Sequence, residues 1–154
     1  MDKGVGSVSD AVVRRATAAD LPELVEMALD MHRQTGFSVF SVNRDKVEWY
    51  LRDLLENAFV VVAPGRGFFA GDVSSSWFSE DLCGWDKILY VYPKYRGRRL
   101  GVRFLRLFED WAVARGARFI VIAVSSGVDV GRTGKLFEHR GYTCLGGVYR
   151  KECI

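Results

Sequence analysis

The chain is short of the residues that cross-link small proteins and hold metals. Its 154 residues include three cysteines, two histidines and three prolines. Cys83, Cys144 and Cys153 are an odd set with no C-x-x-C pair, which argues against a disulfide framework and against zinc. Reduced thiols in a cytoplasmic protein are the expectation. His32 and His139 alone do not make a metal centre, so no metal is expected. No apolar run nears the roughly 18 residues of a membrane span, and the longest, 58–65 and 119–128, have the length of strands. The start lacks an apolar leader, and Asp20 and Glu23 follow Arg14-Arg15 too soon for a twin-arginine signal. Neither export nor a membrane partner is expected.

What is present is globular composition. Hydrophobic residues make up 49%, aromatic residues 13% and charged residues 27%, with a net charge of +3, which excludes a disordered chain. The length suits one domain, expected over 11–154 behind a flexible Gly/Ser-rich stretch 1–10. Charge is unevenly spread. Residues 17–57 hold eight acids against four bases, whereas 84–116 hold eight bases against three acids. A basic zone inside a near-neutral domain points to a polyanionic ligand.

Periodicity gives the order of elements. Residues 11–16 read as a short strand. Thr17-x-x-Asp20 resembles a capping box, and Pro22 fits a helix's first turn. Leu21, Leu24, Val25, Ala28, Leu29 and His32 form one helical face. After a loop over 36–42, Asn43 caps a second helix with Val47, Tyr50, Leu51, Leu54 and Leu55 on one side. A buried strand (58–63), a turn (64–67) and a return strand (68–73) form a hairpin. The glycines at 65, 67 and 71 serve that turn and no helix follows them, so a dinucleotide motif is rejected. A loop (77–83) leads to a strand (85–92) ended by Pro93. The helix 99–115 carries Leu100, Phe104, Leu107, Phe108 and Trp111 on one face and is closed by Gly116. A strand (118–124), a helix from Asp129 to His139 and a terminal strand (142–150) complete the chain. The result is an α/β fold with a mixed sheet, in which strands 85–92 and 118–124 are a parallel pair joined by a helix.

The chemistry concentrates in Leu89-Tyr-Val-Tyr-Pro-Lys-Tyr-Arg-Gly-Arg-Arg-Leu-Gly101. An apolar strand stops at a proline, a basic turn follows, and a long helix begins. The first turn of a helix presents backbone N–H groups without internal partners, and the dipole makes that end positive. Such a turn binds anions, phosphate above all. Gly97 and Gly101 let ligand oxygens approach, and Arg96, Arg98 and Arg99 add bidentate donors. It is not a Walker loop, because no Gly-Lys-Ser/Thr closes it.

This stretch resembles the acyl-CoA pyrophosphate loop of the GNAT superfamily of N-acetyltransferases, whose pattern is (Arg or Gln)-x-x-Gly-x-(Gly or Ala). Arg96 and Gly101 match the ends, and Arg99 stands where the family has glycine. Gly134-Lys-Leu-Phe-Glu-His-Arg-Gly-Tyr142 resembles the family's last helix, and Val13-Arg-Arg-Ala-Thr-Ala-Ala-Asp-Leu-Pro22 its first strand and helix. The resemblance covers 12–150. It implies a mostly antiparallel central sheet with one splayed parallel pair, flanked by about four helices. Acetyl-CoA is the implied co-substrate, with its pyrophosphate on the amides of Arg96, Gly97, Arg98, Arg99, Leu100 and Gly101. Its pantetheine arm would lie along Leu89, Tyr90 and Val91, with the Val91 N–H as oxyanion donor. Asp129 stands where the family often has a pantetheine-side asparagine. Phe137 occupies the position of the tyrosine that often serves as general acid, and is expected to wall the acyl pocket.

The implied reaction is direct attack by an amine on a thioester. An alkylamine with a pKa near 10.4 is about one part in a thousand unprotonated at pH 7, so a base or a desolvating site helps. Asp86, expected on the same side of its strand as Ile88 and Tyr90, is the first candidate for base or ammonium anchor, with Glu80 and Asp81 second. Trp49, Tyr50, Trp77 and Phe78 lie in segments that build the acceptor pocket in this family. The acidic 17–57 half favours an amine-bearing small molecule or protein as acceptor. Two other classes compete. One is a non-catalytic acyl-CoA-binding module, favoured by Phe137 and Arg99. The other is a nucleic-acid-binding or modifying protein using the basic run 94–106, although the small net charge argues against nucleic acid. An exposed terminal edge strand would admit a homodimer.

Overall fold

The computed structural model describes residues 11–124, 126 and 129–153, and the expected flexible stretch 1–10 lies outside them. In chain order the elements are β1 (Arg14–Arg15), α1 (Leu21–Gln34), α2 (Arg44–Asn57), β2 (Phe59–Ala63), β3 (Gly67–Ser75), β4 (Leu82–Val91), α3 (Leu100–Ala114), β5 (Phe119–Val121) and α4 (Val130–His139). The strands form one sheet in sequence order. Every neighbouring pair is antiparallel except β4 and β5, which run parallel. The mixed α/β fold expected from the sequence is therefore present. No described helix is long and apolar enough to cross a membrane.

Alternation along the strands creates two cores. Val60 and Val62 of β2 join Phe68, Ile88 and Tyr90 beneath α1 and α2. Phe59, Val61 and Ala63 join Phe69, Phe104 and Phe108 beneath α3. Both faces of β2 are covered, so it reads as an unbroken apolar run. Phe68, Phe69, Phe104 and Phe108 are fully buried, each contributing about 1.5–3 kcal/mol of transfer free energy. Local signals start the helices. The Asp20 carboxylate reaches back to the Thr17 N–H at 2.7 Å, and Asn43 Oδ1 accepts the Lys46 N–H at 3.0 Å.

Three expectations need correction. First, α3 buries Leu100, Phe104, Leu105, Phe108 and Ala112, while Leu107 is exposed. The i+4 ridge through 100, 104, 108 and 112 sets the face, and Leu107 lies off it.

Second, residues 142–150 form no strand. Gly146-Gly147 offers no side chains to pack, and Leu145, Val148 and Tyr149 stay largely exposed. The segment is fixed at its ends by the Tyr142 hydroxyl on Glu109 and by Arg150 on the Gly36 carbonyl. The terminal edge strand expected to admit a homodimer is thus missing from the described residues.

Third, Asp86 does not share a side with Ile88 and Tyr90. Ala70 pairs with Ile88 but Gly71 pairs with Asp86, so Lys87 is an extra residue that flips the alternation. A Cβ on Gly71 would lie 2.7 Å from the Phe108 ring, which places Gly71 and its partner Asp86 on the α3 face with Leu89 and Val91.

Candidate functional site

The parallel ladder of β4 and β5 is short. Its last pair is Trp85 with Val121, where β5 ends, while β4 runs on to Val91 with no strand partner on that side among the described residues. A cavity of about 530 Å³ opens along this divergence, between β4, the turn into α3 and the inner face of α4.

Backbone alternation exposes the right groups to it. The Tyr92 N–H donates to the Arg66 carbonyl at 2.8 Å. Leu89 and Val91 therefore turn their backbone groups away from β3, toward the open side. The Val91 carbonyl accepts from Arg96 Nε at 2.8 Å.

The turn into α3 has the conformation of an anion cradle. Gly97 adopts φ +78°, and Arg99, the residue before α3, is left-handed at φ +64°. Among the described residues no side chain caps α3, and its first return bond is Arg103 N–H to Arg99 O at 3.0 Å. The amides of Leu100, Gly101 and Val102 thus begin the helix without side-chain acceptors, and a Cβ on Gly101 would meet open space. These features fit a diphosphate. The left-handed Arg99 also explains why glycine suits that motif position, since an L side chain there costs about 1–2 kcal/mol.

Of the residues expected at the site, Asp86, Leu89, Tyr90, Val91, Arg96, Gly97, Arg99, Leu100, Gly101, Asp129 and Phe137 line the cavity. Arg98 does not. Its guanidinium turns outward, 6.0 Å from the Tyr95 ring centre, in a group with Arg66 and Lys94. Glu80 does not either. It is exposed in the β3–β4 loop, at the end where β4 and β5 are still paired, so its place along the strand keeps it from the divergence. Asp81, beside it, pairs with Arg118 at 3.2 Å. Trp77 and Phe78 are exposed on the same loop and Trp49 on α2, none of them lining the cavity.

Asp86 sits at the fork. Its Oδ1 accepts the Ala123 N–H at 3.2 Å, and burial pushes its pKa up, opposed by that hydrogen bond. Tyr142, a conceivable proton donor, packs on Phe137 at 5.7 Å but donates its hydroxyl to Glu109 at 2.9 Å, and burial holds its pKa above the usual phenol value.

Sequence reading missed two walls. One is the end of α1, where Gln34 accepts from Arg96 at 3.1 Å and donates to the Tyr90 hydroxyl at 3.2 Å, and Tyr90 in turn bonds Asp30. Nothing local in the sequence links residues 30, 34, 90 and 96. The other is Arg132, Thr133 and Leu136 on α4. Helical spacing between Asp129 and Phe137 passes through these positions and could have revealed them.

The sequence matches the family described as Acetyltransferase (GNAT) family over residues 26–142. No curated protein is similar enough in sequence to match. Solved structures share the fold. A transcriptional regulator from Bacillus halodurans C-125 is 13% identical, with a TM-score of 0.73 over 93% of this chain and 99% of its own. The aminoglycoside N-acetyltransferase AAC(6')-Iy, in complex with the bisubstrate analog CoA-S-monomethyl-acetylneamine, is 17% identical, with a TM-score of 0.70 over 94% and 100%. The aminoglycoside 6'-N-acetyltransferase AAC(6')-IG from Acinetobacter haemolyticus is 16% identical, with a TM-score of 0.68 over 93% and 99%.

Proposed function

The chain belongs to the GNAT acetyltransferase family, and from that premise we propose that it moves the acetyl group of acetyl-CoA to a primary amine by direct attack. The observation that carries this is the pairing of an uncapped α3 N-terminus with the unpaired length of β4 in one cavity. Acetyl-CoA supplies an activated acyl thioester.

The chain's residues divide the work. The amides of Leu100, Gly101 and Val102 hold the diphosphate, and the backbone of Leu89 and Val91 receives the pantetheine as a strand would. The Val91 N–H stands as the oxyanion donor. Asp86 accepts the amine's proton or anchors its ammonium. Phe137 and Leu136 wall the acyl end. The acceptor is a small-molecule or protein amine. The acidic character of α1 and α2 supports a cationic acceptor, as does the fold neighbour that holds a CoA–acetylneamine analog. The proposal treats 11–154 as one domain acting in the cytoplasm without a metal.

The basic run 94–106 does not favour nucleic acid. Arg96 is turned to Val91 and Gln34, and Arg103 donates to the Ala11 carbonyl at 2.6 Å, so its charges do not share one surface. The decisive experiment is calorimetric titration with acetyl-CoA, followed by thiol-release assays on a panel of amines and peptides. Saturable binding with turnover on at least one amine supports the proposal. A melting temperature indifferent to saturating acetyl-CoA and CoA overturns it. Binding without turnover on any amine moves the assignment to a non-catalytic acyl-CoA module.

A further inference from the structure

We infer that Arg132 of α4 is the second cationic arm of the phosphate cradle, gripping the cofactor's diphosphate from the side opposite α3. The inference rests on reading the cavity as an acyl-CoA site.

Three observations converge on it. The inner face of α4 repeats at helical spacing, Asp129, Arg132, Thr133, Leu136 and Phe137, and all five line the cavity. The face is apolar at its deep end and carries Arg132, one turn on from Asp129, at the end beside the loop. Second, Arg132 Nη2 lies 3.1 Å from the point a Cβ on Gly97 would occupy. Its guanidinium thus rests against the loop backbone in the space that the missing side chain leaves. Third, the motif's own arginine is already engaged. Arg96 gives Nε to the Val91 carbonyl and Nη2 to Gln34. Among the described residues Arg132 forms no ion pair, so its planar fork of donors is available to an anion.

The test is calorimetry and thermal shift on wild type, Arg132→Gln and Arg132→Lys with CoA, dephospho-CoA and pantetheine. Arg132 is exposed, so the unliganded variants should melt with wild type, which shows that the fold is intact. Arg132→Gln should weaken CoA and dephospho-CoA equally, by about ten-fold or more, and leave pantetheine unchanged. Arg132→Lys, which keeps charge without the fork, should fall between. Unchanged CoA affinity overturns the inference. So does a loss seen with CoA but not with dephospho-CoA, which would assign Arg132 to the ribose 3'-phosphate. An equal loss for pantetheine would mark a structural role and also overturn it. Failure of wild type to bind any of the three removes the acyl-CoA reading itself, and the inference with it.

Discussion

Asp86 Oδ1 accepts the Ala123 N–H at 3.2 Å, just past the last paired residues of β4 and β5. One carboxylate therefore satisfies an amide released by the fork and lines the cavity, where the proposed reaction would bring the amine. Asp86→Asn keeps an acceptor for Ala123 but removes the base. We expect kcat to fall by about two orders of magnitude if Asp86 takes the proton, and KM to rise instead if it anchors the ammonium. An unchanged rate and KM would leave it only the task of holding Ala123.

The same substitution tests the pH linkage. Burial raises the Asp86 pKa above its unfolded value. Its contribution to stability is therefore full below the unfolded pKa and lost as pH rises through the folded one. Asn does not titrate. Wild type should thus lose stability relative to Asp86→Asn as pH rises from the unfolded value near 3.9, which melting curves taken at successively higher pH would show.

Arg99→Gly should stabilise the protein. Arg99 holds φ +64° and forms no ion pair among the described residues, and removing the left-handed strain is worth about 1 kcal/mol. For a chain of this size that is about 2–4 °C in Tm. A lower Tm would mean that the side chain makes a stabilising contact outweighing the strain.

The sequence was most legible where chemistry is local. The turn from Tyr92 to Gly101 carries its own signals, proline, glycine and a run of arginines, and the structure brings that turn to the cavity. Residues 142–150 alternate well enough to suggest a strand, yet pairing depends on a neighbour's edge, which no local pattern encodes. The side taken by Asp86 is hidden from the sequence for a related reason. The bulge at Lys87 follows from fitting β4 beside Gly71 under the Phe108 ring, a tertiary constraint. Gln34 and Arg96 lie 62 positions apart, so their contact had no sequence signature.

Asp20 should govern acid stability. Its carboxylate takes both Arg14 nitrogens at 2.8 Å and the Thr17 N–H at 2.7 Å, and the Arg14 hydrogen bond leads in lowering its pKa to about 2. The lowered pKa means the stability is present above the unfolded value near 3.9 and lost as pH falls toward 2. Asp20→Asn should cost about 1–2 kcal/mol at pH 7, with Arg14's partial exposure limiting the figure. The gap from wild type should close below pH 2. A pH-independent gap would show that the loss is one of geometry.

Phe137→Tyr asks whether the thiol leaving group needs an acid. Phe137 is buried against Tyr142 and faces the cavity, so its phenol analogue would place a hydroxyl at the acyl end. Tyr142 is poorly placed to substitute, because its proton is committed to Glu109. A thiol of pKa about 8.5 is a good leaving group as thiolate, which needs no donor at neutral pH. We therefore expect kcat within about two-fold of wild type, and a small loss of stability from burying a hydroxyl. A rise of ten-fold or more in thiol release would show that the native chain lacks an acid its reaction requires, and would make phenylalanine at 137 the reason for a slow enzyme.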